Sequence, residues 1–574
     1  MIANTRRAKS VLMLSGALAL SACATTMDRA ASVTSAPALT AAQAEAAVAP
    51  SLPIMKAMTK RLAADDFEGR APSTTVEPRV LDYIVSEFKK AGLQPGNKGQ
   101  WLQEVPTVEI TGSNFTPLTV RGPDGKVQSF AFGDQYVATS YRVTPTTRIE
   151  NAPLVFVGYG INAPELGWND YAGVDMKGKI AVILVNDPDY AMEGQDGLFK
   201  GRRMTYYCRW TYKFEEAARQ GAAGALIVHD TFPAAYGWNV VNSSWTGAQY
   251  YVQSANDGMD QTQANGWVQL GVADAILKAA GQDLRALTAA AGQKGFKPVP
   301  LGLTASLGFD NAIRKSMSHN VVGILPGKSR PEEYVLYSAH WDHLGRCTPD
   351  ASGDDICNGA VDNATGVGAI TAVADAMKRN GGAARSQVFI ALTLEESGLL
   401  GSRYYAENPI YPLNRTVGGV NIDALLPGPR AGSYSTTGGA KSDLSDLFGT
   451  ALAAHGLKES PEESPEKGSY YRSDHFSFAK LGVPMFDIGR GADLVVGGTE
   501  AGKALAEDYT ANRYHAPSDE WSDSWDWSGM TEDLALYYTL GRMLADGTSW
   551  PNWLPTDEFR AIRDKDCAKA GAGC

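Results

Sequence analysis

Two features are missing from this 574-residue chain: clusters of basic residues and closely spaced cysteine pairs. No extended Lys/Arg run follows residue 9, and the formal net charge is -11. Such a chain has no basic footprint to neutralise phosphates, which excludes nucleic acid as a partner. None of the six cysteines stands in a Cys-x-x-Cys pair, which excludes a cysteine-rich structural zinc site. The N-terminal apolar stretch, residues 11–20, is too short to span a bilayer as a helix. What the chain does have is length and 44% hydrophobic residues, enough for more than one buried core.

Arg6, Arg7 and Lys9, then the apolar stretch, then Leu20-Ser21-Ala22-Cys23 make residues 1–23 similar to a lipoprotein signal peptide with its lipobox. The resemblance implies an exported protein, periplasmic or on the cell surface, touching membrane only through a lipid at Cys23. Cleavage near Ala24 without lipidation is the alternative. In an oxidising compartment Cys347 and Cys357 would close a short loop and Cys567 and Cys574 could close the tail, leaving Cys208 free; the sequence alone does not decide whether either pair forms.

Residues 24–50 are mostly Ala, Thr, Ser, Val and Pro and read as a flexible tether. Helical spacing begins at residue 52 and recurs over 79–91, opening a globular domain. Residues 150–290 carry short β-rich runs at 154–157, 180–184 and 225–228 with one helix near 213–220, a compact α/β module of its own. From residue 318 strands and helices alternate as in a doubly wound sheet: strands at 334–339, 387–394, 417–422 and 483–488, helices at 366–378, 399–408, 444–455 and 534–544. The fold class expected is α/β, a doubly wound mixed sheet over 51–149 and 310–556, interrupted by the smaller module and followed by a tail, 557–574.

In an open α/β sheet ligands gather at the carboxyl ends of strands, and metal-binding side chains fall there. His340 and Asp342 follow the first strand, Glu395 and Glu396 the second and Asp423 the third; Asp362 lies in a Gly-rich loop before a helix and His515 in a late loop. Two imidazoles with several carboxylates are what a pair of zinc ions requires, one carboxylate bridging.

The motifs His340-Trp-Asp342-His343, Gly359-Ala-Val-Asp362-Asn-Ala-Thr-Gly366, Leu394-Glu-Glu396, Asn421-Ile-Asp423 and Tyr514-His515 resemble the co-catalytic zinc exopeptidases, a family holding secreted bacterial aminopeptidases and glutamate carboxypeptidase II. The resemblance covers about 50–145 and 315–550. Likewise Phe156-Val-Gly-Tyr-Gly-Ile161, Asp170-Tyr171, residues 178–182 and Gly221-Ala-Ala-Gly-Ala225 resemble a protease-associated domain, which implies substrate gating or positioning. The family pattern implies two Zn2+ per chain, His340 and Asp423 on one, Glu396 and His515 on the other, Asp362 bridging. Glu395 is then the general base toward a metal-bridged water, Asp342 the acceptor fixing the His340 tautomer, and the Asp362–Asn363 bond cis. Tyr470, Tyr471 and Arg472-Ser-Asp-His475 fall where the family places pocket and oxyanion-side groups.

Singly, each residue has a plainer reading: loop aspartates cap helices, Glu395-Glu396 would be a solvated pair, and His319, His343 and His455 are read as surface or core histidines. Their joint occurrence in family order favours the enzyme, a metallo-aminopeptidase acting on peptide substrates. The rivals are a carboxypeptidase, with Arg472, Arg490 or Arg513 clamping a terminal carboxylate, a glutaminyl cyclase, and a catalytically inactive binding module. Oligomeric state is not legible from these residues.

Overall fold

A computed structural model describes residues 36–570. Cys23, the signal segment and Cys574 lie outside the described residues.

The chain enters through α1 (Ala41–Val48), α2 (Leu52–Leu62) and α3 (Glu77–Lys90). The first of these corrects the tether expected over 24–50. Thr40 caps α1 in a reciprocal box with Gln43, and Ala44 and Val48 are fully buried against the catalytic core. Small side chains that seemed to offer nothing to bury instead let a helix lie close on its neighbours. Ser51 adds a hydrogen bond to Asp375, Oγ to Oδ2 2.6 Å.

β1 (Leu102–Ser113) then leads into the inserted module. Its sheet is β2 (Thr146–Phe156), β3 (Ile180–Leu184), β4 (Gly224–His229) and β5 (Ala264–Gln269), paired parallel in that order, with α4 (Trp210–Arg219) packed on β4. The module is larger than the 150–290 expected. Leu118, Val120, Phe130, Tyr136 and Ala138 share its core with Leu301–Phe309 residues from the next strand, so this core draws on 118–309 and continues into the other half of the chain through Tyr470, Tyr471, Phe476, Ala479, Trp553 and Phe559. The hydrophobic alternation of those flanking strands had no mark to separate them from the catalytic domain.

β6 (Val299–Leu325) spans both halves: its start pairs with β2, its middle with β1 and its end with a second set of strands. The strands of that second set are β7 (Arg330–His340), β8 (Arg385–Leu392), β9 (Thr416–Asn421) and β10 (Met485–Arg490). They lie side by side as β6-β8-β7-β9-β10, all parallel except β6. Both faces are covered: Val335, Tyr337, Ala339 and Phe389 point into one core, Leu336, Val388, Ile390 and Leu392 into the other. Helices α5 (Thr365–Arg379) and α6 (Leu400–Glu407) supply opposite covers, as a doubly wound sheet requires.

The expected tail is a docked element. Helix Arg560–Ala570 buries Arg563, which donates through Nη2 to the Val417 carbonyl at 3.2 Å, and Cys567 is buried with it. Cys347 and Cys357 are disulfide-bonded, and Cys208 is a buried free thiol. Among the described residues no helix is long and apolar enough to cross a membrane.

Candidate metal centre

The strand order β8-β7-β9 places a topological switch at the carboxyl end of β7, where connections leave in opposite directions and open a crevice. His340 ends β7 and Asp423 follows β9, on either side of it, with His340 Nε2 3.1 Å from Asp423 Oδ1. Asp362 reaches the same point from the turn before α5, its Oδ1 3.1 Å from His340 Nε2. The other oxygen of Asp362 faces away, 3.4 Å from His515 Nε2, and that nitrogen lies 3.2 Å from Glu396 Oε2. One carboxylate thus divides its oxygens between two donor groups.

These separations bear on metal fit. Ligands about 2.0–2.1 Å from a tetrahedral cation stand roughly 3.3 Å apart, and the four contacts run from 3.1 to 3.4 Å. His515 Nε2 is buried without an aligned hydrogen-bond partner, which a cation would satisfy. Oxygen and imidazole donors of this kind suit zinc. The donor set therefore fits two divalent cations.

Electrostatics follow from packing many acids together. Burial pushes the Glu395 carboxyl well above the usual range, Asp423, Asp474 and Glu396 adding to the effect while His340 opposes it. Burial would also raise Asp362, yet His340 and His515 hold it well below the usual range. Burial takes Asp342 and Asp474 up to about 7.

Each functional side chain is fixed from behind. Ser473 Oγ donates to Asp423 Oδ2 at 2.6 Å and accepts from Asn421 Nδ2 at 2.8 Å. Asp519 accepts the backbone N–H of Val361 and Asp362 at 3.0 and 3.1 Å, holding the turn that carries Asp362. The Asp362–Asn363 peptide is cis, and Asn363 ties it to the end of β9 through the Ile422 carbonyl at 2.9 Å. Arg70, wholly buried, donates to the carbonyls of Leu62, Trp341, Asn358 and Gly359 at 2.5–2.8 Å, joining α2 to the loops that carry His340 and Asp362.

The expected role of Asp342 needs correction. His340 Nδ1 stands 3.1 Å from the Asp342 main-chain carbonyl, whereas the Asp342 carboxylate is 3.8 Å away. That carboxylate accepts the backbone N–H of Glu395 and Glu396 at 3.2 and 3.4 Å, so it holds the loop after β8. With only one residue between them, His340 finds the nearer carbonyl first. His343, read as surface or core, is instead inside the site, Nδ1 2.7 Å from Glu396 Oε1. Of the arginines weighed as a carboxylate clamp, Arg490 is committed to Asp533 at 2.5 Å and Arg513 to Asp508 at 2.9 Å. Arg472 is exposed and has no ion pair among the described residues.

Residues 320–539, which carry all of these strands and loops except Arg70, match the model of peptidase family M28. The chain also aligns with the aminopeptidase NAALADL1 of Mus musculus and that of Rattus norvegicus, each 29% identical over 138 residues, 22% of this chain and 17% of the relative. The chain thus matches about a sixth of those relatives' length. Among solved structures it is similar to an aminopeptidase from Aneurinibacillus sp. strain AM-1 (TM-score 0.44, 20% identity, 87% of this chain and 95% of that one). It is also similar to a peptidase M28 precursor from Shewanella amazonensis (0.38, 16%, 88% and 98%) and a zinc aminopeptidase from Bacillus subtilis (0.34, 16%, 89% and 99%).

Proposed function

We propose that the protein is a two-zinc aminopeptidase, with His340, Asp362 and Asp423 on one ion and Asp362, Glu396 and His515 on the other. The observation that carries this reading is the divided carboxylate of Asp362, one oxygen toward each donor group. Bound there, zinc would acidify water and draw charge from the scissile carbonyl. Glu395 takes the proton of the attacking water and returns it to the leaving amine, work suited to a carboxyl whose surroundings disfavour its charge. Asp342 keeps Glu395 and Glu396 in place through their backbone N–H groups.

Aminopeptidase is favoured over carboxypeptidase because two of the three candidate clamps are already spent on Asp533 and Asp508. An acid-rich site also suits a free α-amine. Beside the bridging aspartate, a cavity of about 200 Å³ touches Val361 and is lined by Leu426, Leu505, Tyr509, Arg513 and Trp525, large enough for an apolar side chain. The inserted module closes the cleft from one side, through Arg203 to Glu462 (3.6 Å), Lys480 to Glu215 (2.6 Å) and the Met204 N–H to the Pro465 carbonyl (3.0 Å). We read it as a protease-associated domain that positions peptide, and the chain as exported and lipid-anchored at Cys23.

Glu395→Gln tests the reading. The variant should keep its zinc and lose roughly 10²–10⁴-fold in kcat, the usual worth of a general base; undiminished turnover would remove Glu395 from the chemistry.

A further inference from the structure

His343 lies with Asp362 and Glu396 in a group whose donor atoms all fall within 4.8 Å of one another, and the two-zinc reading above gives it no role. The ring is fully buried, both nitrogens lack an aligned hydrogen-bond partner, and Nδ1 comes within 2.7 Å of Glu396 Oε1. It is wedged beneath Gly359: a Cβ there would meet the ring at 2.6 Å, and the Gly359 carbonyl is itself held by Arg70 at 2.8 Å. His515 faces the opposite oxygen, Oε2, at 3.2 Å, so Glu396 sits between two imidazoles.

Distances separate the two imidazoles in kind. His515 stands 3.2 and 3.4 Å from Glu396 and Asp362, spacings proper to two ligands of one cation. His343 is nearer to Glu396 than such a spacing, stands within 4.8 Å of the bridging Asp362 but makes no contact of 4.0 Å or less with it, and approaches the oxygen that His515 does not. A carboxylate whose inner oxygen binds metal commonly has its outer oxygen held by a hydrogen-bond donor, which raises affinity by fixing the ligand.

We propose that His343 is a positioning residue for the second metal, its Nδ1–H holding the outer oxygen of Glu396, since Glu396 is a ligand under the two-zinc reading above. The donor matters, not the ring. An asparagine amide places its N–H where Nδ1 stands, whereas phenylalanine keeps the bulk and loses the donor.

The test compares the full chain with His343→Asn and His343→Phe, each shown to be folded by circular dichroism and thermal melting without metal. Zinc affinity is read by competition with a chromogenic chelator, and the visible spectrum is recorded after cobalt(II) substitution. His343→Phe should bind one of its two metals about 10–100-fold more weakly, with an unchanged cobalt spectrum at saturation, and His343→Asn should recover most of that loss. Equal weakening in both variants with an altered cobalt spectrum would make His343 a ligand and overturn the assignment. Unchanged affinity in His343→Phe would overturn it too. Failure of the parent chain to bind two metals would instead defeat the two-zinc reading, a distinguishable result.

Discussion

Arg70 offers the sharpest stability prediction, because a single side chain from the N-terminal segment joins three parts of the site. Its guanidinium donates to four carbonyls, those of Leu62, Trp341, Asn358 and Gly359, and none of its bonds goes to a carboxylate. Burial lowers its pKa to about 10, with Asp519, Asp362, Asp342 and Glu396 opposing the fall, so it stays charged at neutral pH. Truncation to Ala strands those carbonyls and removes a fixed positive charge that helps balance the acids. Stranding each carbonyl costs on the order of 1–3 kcal/mol, and water entering the vacated space recovers part of the sum. A net loss of about 3–5 kcal/mol is the expectation, the range for breaking a buried charge's contacts. At roughly 2 °C per kcal/mol for a domain of this size, the metal-free protein should melt about 6–10 °C lower. Because Trp341 and Gly359 flank His340 and the Asp362 turn, zinc affinity should fall at least about tenfold as well. Arg70→Lys, with one point of donation, should lie between. Melting within about 2 °C of the parent, at unchanged zinc affinity, would refute the reasoning.

Two further outcomes follow from the same geometry. Ser473→Ala removes the hydrogen bond to Asp423 Oδ2, and zinc affinity measured by chelator competition should fall about tenfold with little change in melting temperature. Burial pushes His475 down to about 3, so the folded protein resists a proton that the unfolded chain accepts near pH 6.5. Stability is therefore fully present above pH 6.5 and is lost as pH falls toward 3, by up to roughly 5 kcal/mol for this residue. Denaturant titrations of His475→Phe against the parent should show the variant losing less over that window; parallel losses would exclude His475 as a source.

What was legible beforehand depended on range. The strand runs that became β7, β8 and β9 are short, apolar and bounded by turns, and their carboxyl ends located His340, Glu395, Glu396 and Asp423 before any coordinates. Asp362 and His515 were marked by the Gly-rich turn and Tyr514-His515 motif. Groups that act at long range carried no such mark: Arg70 is more than 270 residues from Trp341, and nothing local to Phe67-Glu68-Gly69-Arg70 announces a carbonyl cage. Ser473 lay within the Arg472–His475 run already noted, and Asp519 stands four residues past His515, yet both look like ordinary loop polar residues. The helix α1 was hidden because Ala contributes little hydrophobic signal while packing closely. The module's extent was hidden because β6 is one continuous strand serving two cores.

The most direct test of the central claim is metal content measured alongside hydrolysis of amino-acid p-nitroanilides and of N-blocked peptides with free carboxyl ends, on protein lacking residues 1–23. The account predicts about two zinc ions per chain and cleavage confined to substrates with a free amine, abolished by chelation and restored by zinc. Cleavage confined to the N-blocked peptides would move the activity to a carboxypeptidase, and a folded chain that binds no metal and cleaves neither would contradict the account outright.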